Sequence, residues 1–313
     1  MRALIVTNMW PSPAAPALGS FVRDQVDALR AVGGAGLDIE VAAFPPGGYA
    51  RAARDLRRRA PADIVHAHFG LTAWPALAAR GRVRLVTLHG TDVRHRRSGA
   101  ITRAVLPFQD LVATASAELA GELAGRRSVA VLPCGVATDR FRPIPRSAAR
   151  EQLGLDPARP YLLFPADPAR AGKRHDRAAA VARAAGARLL TAGNVDPAQM
   201  PLWVNAADAV LVPSDHEGFG LAVLEALACE VPVLATPTGV HAVALAGVEG
   251  TLCAAYDLDR WVAAVAPHLA AADPRVDGRP RAELYGAQVM ARRVLDAWSE
   301  LLGEPSGPGR AAA

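Results

Sequence analysis

Short runs that are apolar at every position recur between segments of helical length, and the pattern plays twice along the 313 residues. In the first half the candidate strands are Ala3–Thr7, Ile39–Phe44, Ile64–Ala67, Leu85–Leu88, Leu111–Thr114 and Val129–Leu132, with helical patterns such as Phe21–Val32 and Ala50–Ala60 between them. A strand that is apolar throughout must be covered on both faces, which parallel sheets wrapped by helices accomplish. The Pro-rich passage Phe141-Arg-Pro-Ile-Pro145 interrupts the rhythm and reads as an interdomain linker. The alternation then restarts. Strands are expected at Tyr161–Pro165, Ala187–Ala192, Ala209–Pro213, Val233–Ala235 and Thr251–Ala254, with helices over Arg174–Ala185, Gln199–Ala206, Gly220–Cys229 and Leu258–Leu269. The chain is long enough for two cores. The reading is therefore α/β: two doubly wound parallel-sheet domains, residues 1–143 and 144–280, facing across a cleft where such folds bind ligands. A final helix, Arg281–Leu302 within 281–303, is expected to pack back toward the first domain, and 304–313 to be a disordered tail.

Composition narrows the class. No apolar run approaches the ~18 residues of a membrane span, and the N-terminal apolar stretch reads as a first strand, not a signal peptide. The expectation is a cytoplasmic protein, peripheral at the inner face of the membrane at most. Cys134, Cys229 and Cys253 are too few and too scattered for a disulfide framework or a zinc knuckle. The net charge of +5 is uneven: residues 1–143 hold 19 Arg against 11 acids, and residues 144–313 hold 16 Lys or Arg against 19 acids. A basic first half suits an anionic partner such as a membrane surface or a phosphorylated acceptor, while solvating arginines are the plainer explanation. Nucleic acid is not expected as a partner. Among 35 cationic side chains only one is a lysine, Lys173. A lysine kept where arginine is otherwise universal points to a need that a guanidinium does not meet.

The segment Ser214-Asp-His-Glu-Gly-Phe-Gly-Leu-Ala-Val-Leu-Glu-Ala-Leu-Ala-Cys-Glu-Val-Pro-Val233 runs from a strand end into a helix. Gly218 and Gly220 let the backbone turn and let a ligand approach the N–H groups that open the helix, which with the helix dipole favour phosphate. Glu225 lies more than a turn inside, poorly placed for phosphate but suited to ribose hydroxyls. Glu217, ahead of the first glycine, can reach past the phosphates toward a sugar. A ligand combining ribose, phosphates and sugar satisfies all of these. The alternative is a strand–turn–helix with solvated surface glutamates, which fits a single Glu-Gly pair better than the two carboxylates flanking Gly-Phe-Gly.

This segment resembles the donor-site signature of glycosyltransferase family 4, retaining enzymes of the GT-B fold with two Rossmann-like domains. The likeness covers nearly the whole chain. Phe164-Pro-Ala-Asp-Pro-Ala-Arg-Ala-Gly-Lys-Arg174 is similar to the loop whose Arg and Lys hold the pyrophosphate, which implies Arg170 and Lys173. Two cations at a strand end would neutralise the departing nucleotide without a metal. Asp63-Ile-Val-His-Ala-His-Phe-Gly70 and Leu88-His-Gly-Thr-Asp-Val93 resemble further family motifs, which gives His89 a contact with the transferred sugar. Trp10-Pro-Ser-Pro with Gly19-Ser-Phe-Val22 resembles the loop over the donor phosphates. The resemblance thus implies catalytic roles for Glu217, His89, Arg170 and Lys173. It implies donor contacts from Gly19, Arg170, Lys173, Gly218, Phe219, Gly220, Leu221 and Glu225, and acceptor contacts from Trp10, His68 and Asp92, to which Arg94 is added by its place just after the His89 loop. His95, Arg96 and Arg97 follow in the same stretch as candidates for an acceptor or membrane surface.

Competing constellations are weaker. His66 and His68 share a strand face and could begin a metal site, but no third ligand stands out in the sequence. Asp257-Leu-Asp259 imitates a metal-binding Asp-x-Asp pair yet precedes a helix, where capping explains it. No Gly-x-Gly-x-x-Gly follows the first strand and no Gly-x-Ser-x-Gly elbow occurs. Cys134, Ala137 and the Gly239-Val240-His241-Ala242 stretch depart from the family pattern, as does the short span between Ala192 and Pro213. The expected activity is retaining transfer of a sugar from a nucleotide-diphosphate sugar, with no metal or other cofactor, to a glycan, lipid or small-molecule acceptor. Front-face attack, in which the leaving phosphate takes the acceptor's proton, needs no separate strong base. Lys173→Ala is expected to cut transfer by orders of magnitude while the fold survives. A nonhydrolysing nucleotide-sugar epimerase and a non-catalytic sugar-nucleotide-binding protein are the alternatives.

Overall fold

Residues 1–123, 128–193 and 195–304 are described in the computed structural model of the protein. The tail expected over 304–313 lies outside them except for Glu304. The chain divides into two compact units, residues 1–135 with the segment beginning at Ala287, and Val136–Gly286.

The first unit is built on a six-stranded parallel sheet of β1 (Arg2–Thr7), β2 (Asp38–Ala43), β3 (Ala62–His68), β4 (Gly81–Leu88), β5 (Leu111–Thr114) and β6 (Ala130–Val131). Their order is β2-β1-β3-β4-β5-β6. Because side chains alternate across a strand, Ala3, Ile5, Ile64 and Leu85 reach one face, and Leu4, Val6, Val65 and Val86 the other. The helices Ser20–Gly33 and Ala287–Leu302 cover the first face, inserting Val22, Val26, Leu29, Val294 and Trp298. Leu56, Ala73, Ala76 and Val105, from the helices Tyr49–Leu56, Ala73–Ala76 and Arg96–Val105, cover the second.

The second unit carries a five-stranded parallel sheet of β7 (Tyr161–Phe164), β8 (Arg188–Thr191), β9 (Ala209–Val212), β10 (Val233–Ala235) and β11 (Leu252–Cys253), in the order β11-β10-β9-β7-β8. Strands β7, β9 and β10 are buried at every residue, as their unbroken apolar runs require. Helices His175–Ala184 and Leu258–Ala270 join Leu162, Phe164, Leu211 and Leu234 in one core. Helices Met200–Ala206 and Leu221–Ala228 also lie against these strands. In each sheet the first strand has its sequence neighbour on one side and a later strand on the other. The order reverses between β1 and β3 and between β7 and β9, the positions where loops leaving the strand ends diverge and open a binding crevice.

Two details differ from the sequence reading. The final helix is not continuous: Arg279–Glu283 and Ala287–Leu302 are separate. The backbone between them is used otherwise, since the Val136 N–H donates to the Tyr285 carbonyl and Val136 bridges Gly286 in parallel. The Pro-rich passage, read as a linker, is strapped into the second unit. Arg275 donates to the Ile144 carbonyl, Arg279 to those of Thr138 and Phe141, and Asn205 to that of Arg142. Prolines remove backbone donors, but the carbonyls still need partners, and these side chains supply them.

Candidate active site

In the second unit the loops after β7 and β9 emerge from adjacent strands. The first ends in a single 3-10 turn, Ala171–Lys173, followed by Arg174 in the left-handed region at φ 58°. That conformation is held from outside: Arg174 makes paired hydrogen bonds to Asp176 and reaches Asp215 at 3.2 Å. The second loop is sewn to the first by the Asp215 N–H, which donates to the Gly172 carbonyl at 2.9 Å. Between them lies the central contact. The Lys173 ammonium donates to both Glu217 carboxylate oxygens at 2.6 Å, and the Ser214 hydroxyl donates to Oε1 at 2.7 Å. The Glu217 side chain is 7% exposed. Burial pushes its carboxyl upward, but the Lys173 charge, the His241 ring and the two donated bonds outweigh burial and hold it below its ordinary value of 4.5. The pair is ionised. Neither Ser214 nor Asp215 is singled out by sequence spacing, and only the fold shows that they orient the carboxylate and clamp the loops.

The chain then turns through Gly220 at φ 107° into the helix Leu221–Ala228, whose start carries no side-chain cap. Its opening N–H groups and positive dipole end are available to an anion. A Cβ on Gly220 would lie 2.5 Å from His241 Nε2, so no other residue fits without displacement. His241 is fully buried and donates through Nδ1 to the Thr236 carbonyl at 2.8 Å. Gly239, at φ 59°, brings its turn against the Phe219 carbonyl, which accepts from the Val240 N–H at 2.7 Å. His241, a departure from the family pattern, thus packs beneath the glycine turn.

Of the residues expected to hold the donor, Lys173 and Glu217 are in contact. Gly218, Gly220 and Leu221 form the turn and first residue of the helix, and Glu225 lies one turn further along it, half-buried. Arg170 shares the Lys173 loop, exposed, with its backbone N–H on the Asp167 carbonyl. Phe219 is different: its side chain is buried, 5.9 Å from the Tyr285 ring, so only its backbone can meet a ligand.

The first unit assembles a histidine ladder at the ends of β3 and β4. His66 stacks on His68 at 4.3 Å between ring centroids, and His68 on His89 at 5.4 Å. His66 Nε2 meets the Thr87 hydroxyl at 2.8 Å, and His68 Nδ1 lies 3.2 Å from His89 Nε2, one nitrogen donating and the other accepting. Burial pushes all three downward, His66 to about 3 and His89 to about 4, with each charge further opposed by a neighbouring ring in His66 and His68. They are neutral imidazoles. Phe21 packs on His89 at 4.8 Å. Among the described residues no group of three or more His, Cys, Asp or Glu side chains is arranged to hold a metal ion, and Asp257 caps its helix by accepting from the Arg260 N–H.

The four residues assigned to an acceptor have other engagements. Asp92 is fully buried, accepting from the N–H groups of Gly70, His89 and Gly90, so it shapes the His89 loop and presents no surface to an acceptor. Burial raises its carboxyl above the ordinary value against the pull of those bonds. His68 is 1% exposed, sealed between the other rings. Arg94 is ion-paired with Glu118 and Glu122. Trp10 packs against the core that includes Trp298. Gly19, at φ 67°, precedes the helix Ser20–Gly33, and a Cβ there would stand 2.2 Å from the Met9 carbonyl oxygen. Its place is set by this close approach.

Two parallel α/β sheets, each with a switch point in its strand order, are the two domains of the GT-B fold, and solved structures agree on that fold. Sucrose-phosphate synthase from Thermosynechococcus elongatus superposes with a TM-score of 0.73 at 19% identity, over 96% of this chain and 99% of that one. HepE from Anabaena, in complex with UDP and glucose, gives 0.71 at 16% identity, over 96% and 100%. The family profile of Glycosyltransferase Family 4 matches residues 5–140, and that of Glycosyl transferases group 1 matches residues 169–270. D-inositol 3-phosphate glycosyltransferase 2 of Catenulispora acidiphila is 30% identical over 300 residues, 76% of this chain and 70% of that protein. The chain belongs to glycosyltransferase family 4. It spans between 40% and 70% of the length of such curated relatives. Among the described residues no helix is long and apolar enough to cross a membrane.

Proposed function

We propose that this glycosyltransferase takes a nucleoside-diphosphate sugar as donor and holds it in the second unit, with the diphosphate against Lys173, Arg170 and the open start of the helix Leu221–Ala228. The observation that carries the reading is the contact of Lys173 with both oxygens of Glu217, from loops 44 residues apart in sequence. A cation and a carboxylate side by side near an uncapped helix end support a reading in which the first meets phosphate and the second sugar hydroxyls. Positive charge preorganised where the leaving diphosphate gains negative charge lowers the barrier. Glu225, a turn along the helix, is the ribose partner. By the family likeness His89 touches the transferred sugar, and its neutral ring is suited to hydrogen bonding rather than to charge. The anomeric configuration is retained, the leaving phosphate oxygen takes the acceptor's proton, and the cationic side chains perform the role a metal has in other folds. HepE was crystallised with UDP and glucose, which supports a uridine donor. The basic first unit suits a phosphorylated or lipid-borne acceptor, and the relative named for inositol phosphate supports the former. A thermal-shift screen against UDP-, GDP-, ADP- and TDP-sugars tests the donor, since saturation with a cognate one stabilises by about 3 kcal/mol at a hundredfold excess over Kd. No shift with any nucleotide sugar would overturn the donor site. NMR of the product's anomeric proton, with and without chelator, tests retention and the absence of a metal.

A further inference from the structure

The sheet face of the first unit opposite the helix Ala287–Leu302 carries a surface that the catalytic reading does not use. Helix Arg96–Val105 and the turn Leu106–Phe108 expose Ile101 and Phe108 at 48% and 58%. Trp74, from the neighbouring helix Ala73–Ala76, is 38% exposed, with its ring 6.3 Å from Phe108 and its indole N–H donating to the Ile101 carbonyl. Three large apolar side chains, one of them tied by a hydrogen bond, thus form one ridge, whereas isolated exposed apolar residues need no explanation. The charge around it is mainly basic, although Asp110, two residues beyond Phe108, is exposed and Glu118 and Glu122 are ion-paired with Arg94. Residues 93–109 contain Arg94, Arg96, Arg97 and Arg103 and no acid. Arg96, Arg97 and Arg103 are exposed and have no ion-pair partner among the described residues. Helix Tyr49–Leu56, which packs beside Ala73–Ala76, adds a groove lined by Arg54, Arg57 and Arg58.

We propose that this ridge is a docking surface for an anionic lipid bilayer, with Trp74, Ile101 and Phe108 entering the headgroup–acyl boundary and the flanking arginines meeting lipid phosphates. Aromatic and aliphatic side chains bordered by unpaired arginines on a short helix are what an interfacial contact needs. The apolar part supplies burial, and the basic part supplies attraction that salt screens. A purely electrostatic phosphate site would have no use for three exposed apolar groups.

The test is co-sedimentation of the full chain with vesicles of phosphatidylglycerol mixed with phosphatidylcholine, against vesicles of phosphatidylcholine alone, at low and high salt. Binding is expected to the mixed vesicles only, weakened by salt, and reduced roughly tenfold or more in I101S/F108S because binding scales with the apolar area buried. These side chains are exposed, so the variant should keep its melting temperature and its donor-induced thermal shift. Binding that survives I101S/F108S unchanged would show generic attraction by net charge, and absence of binding would show that no such surface exists. A change from dimer to monomer in the variant by light scattering would show a second copy covering the ridge. Each of these three results overturns the proposal. The assay uses no donor and no turnover, so its outcome is independent of the glycosyltransferase reading.

Discussion

The strand ends of the two units solve the problem of buried polarity in opposite ways. In the second, Lys173 and Glu217 are both charged and neutralise each other within a nearly closed site. In the first, His66, His68 and His89 are stacked and neutral, the first two fully buried. The contrast shows that a doubly wound sheet prescribes where functional side chains gather but not their charge state. A buried carboxylate persists as an ion because an ammonium and a hydroxyl donate to it, whereas the histidines contact a hydroxyl and one another, with no opposite charge to hold a proton, and stay neutral.

Removing Lys173 should break the comparison most severely. Lys173→Ala is expected to lower transfer roughly 10²–10³-fold by loss of a transition-state cation. It should also cost about 3–5 kcal/mol of stability, because Glu217 is left buried without its partner. The sequence alone led to the expectation that the fold would survive intact, and the 2.6 Å pair is the reason to revise it. Adding Glu217→Gln should restore the melting temperature but not the activity, and urea unfolding with a transfer assay separates the two.

Acid should then divide the units. The histidines' folded values lie below their ordinary 6.5, so below that pH the unfolded chain binds protons that the folded one refuses, and stability falls as pH drops toward about 4. Each titrating ring costs up to about 1.4 kcal/mol per pH unit in this range, less for His89, which is not fully buried. Glu217 behaves in the other sense: its pairing is fully stabilising above 4.5 and is lost only as pH falls through its lowered folded value. Hydrogen exchange between pH 7 and 5 should therefore show β3 and β4 losing protection before β7 and β9. The reverse order would contradict the neutral ladder.

Smaller effects sharpen the two sites. Gly220→Ala should destabilise by about 1–3 kcal/mol, since φ 107° is strained for any side chain and the new methyl meets His241. The donor-induced thermal shift should shrink with it. In the ladder, Thr87→Val should cost about 1–3 kcal/mol by leaving His66 Nε2 unpaired, while His66→Leu combined with Thr87→Val should be neutral within about 1 kcal/mol because both partners go together. His66 Nδ1 already has no partner among the described residues, so the double change removes a buried polar atom as well.

Most strands were legible because their apolar runs are dictated by burial on both faces, a local property of the sequence. The glycine turn and the helix holding Glu225 were legible for the same reason, since φ 107° at Gly220 admits little else. Helix Arg96–Val105 was not anticipated: its polar first turn resembles a basic loop, and only packing of Val105 and Thr102 makes it a helix. The break at Gly286 was missed because the competitor for its backbone, Val136, is remote in sequence. Asp92 was misjudged for a related reason, as its N–H partners at Gly70 and Gly90 become neighbours only when β3 and β4 pair.

The sequence by itself determined the parallel α/β architecture, the glycine-opened helix and the residue types that handle phosphate and sugar, because hydrophobic period and backbone torsion act over a few residues. Which charges pair, which histidines are neutral and which carboxylates serve the backbone was decided by the tertiary structure alone. Those outcomes depend on dielectric surroundings and on donors brought within 3 Å by strands far apart in the chain, and no local pattern encodes them.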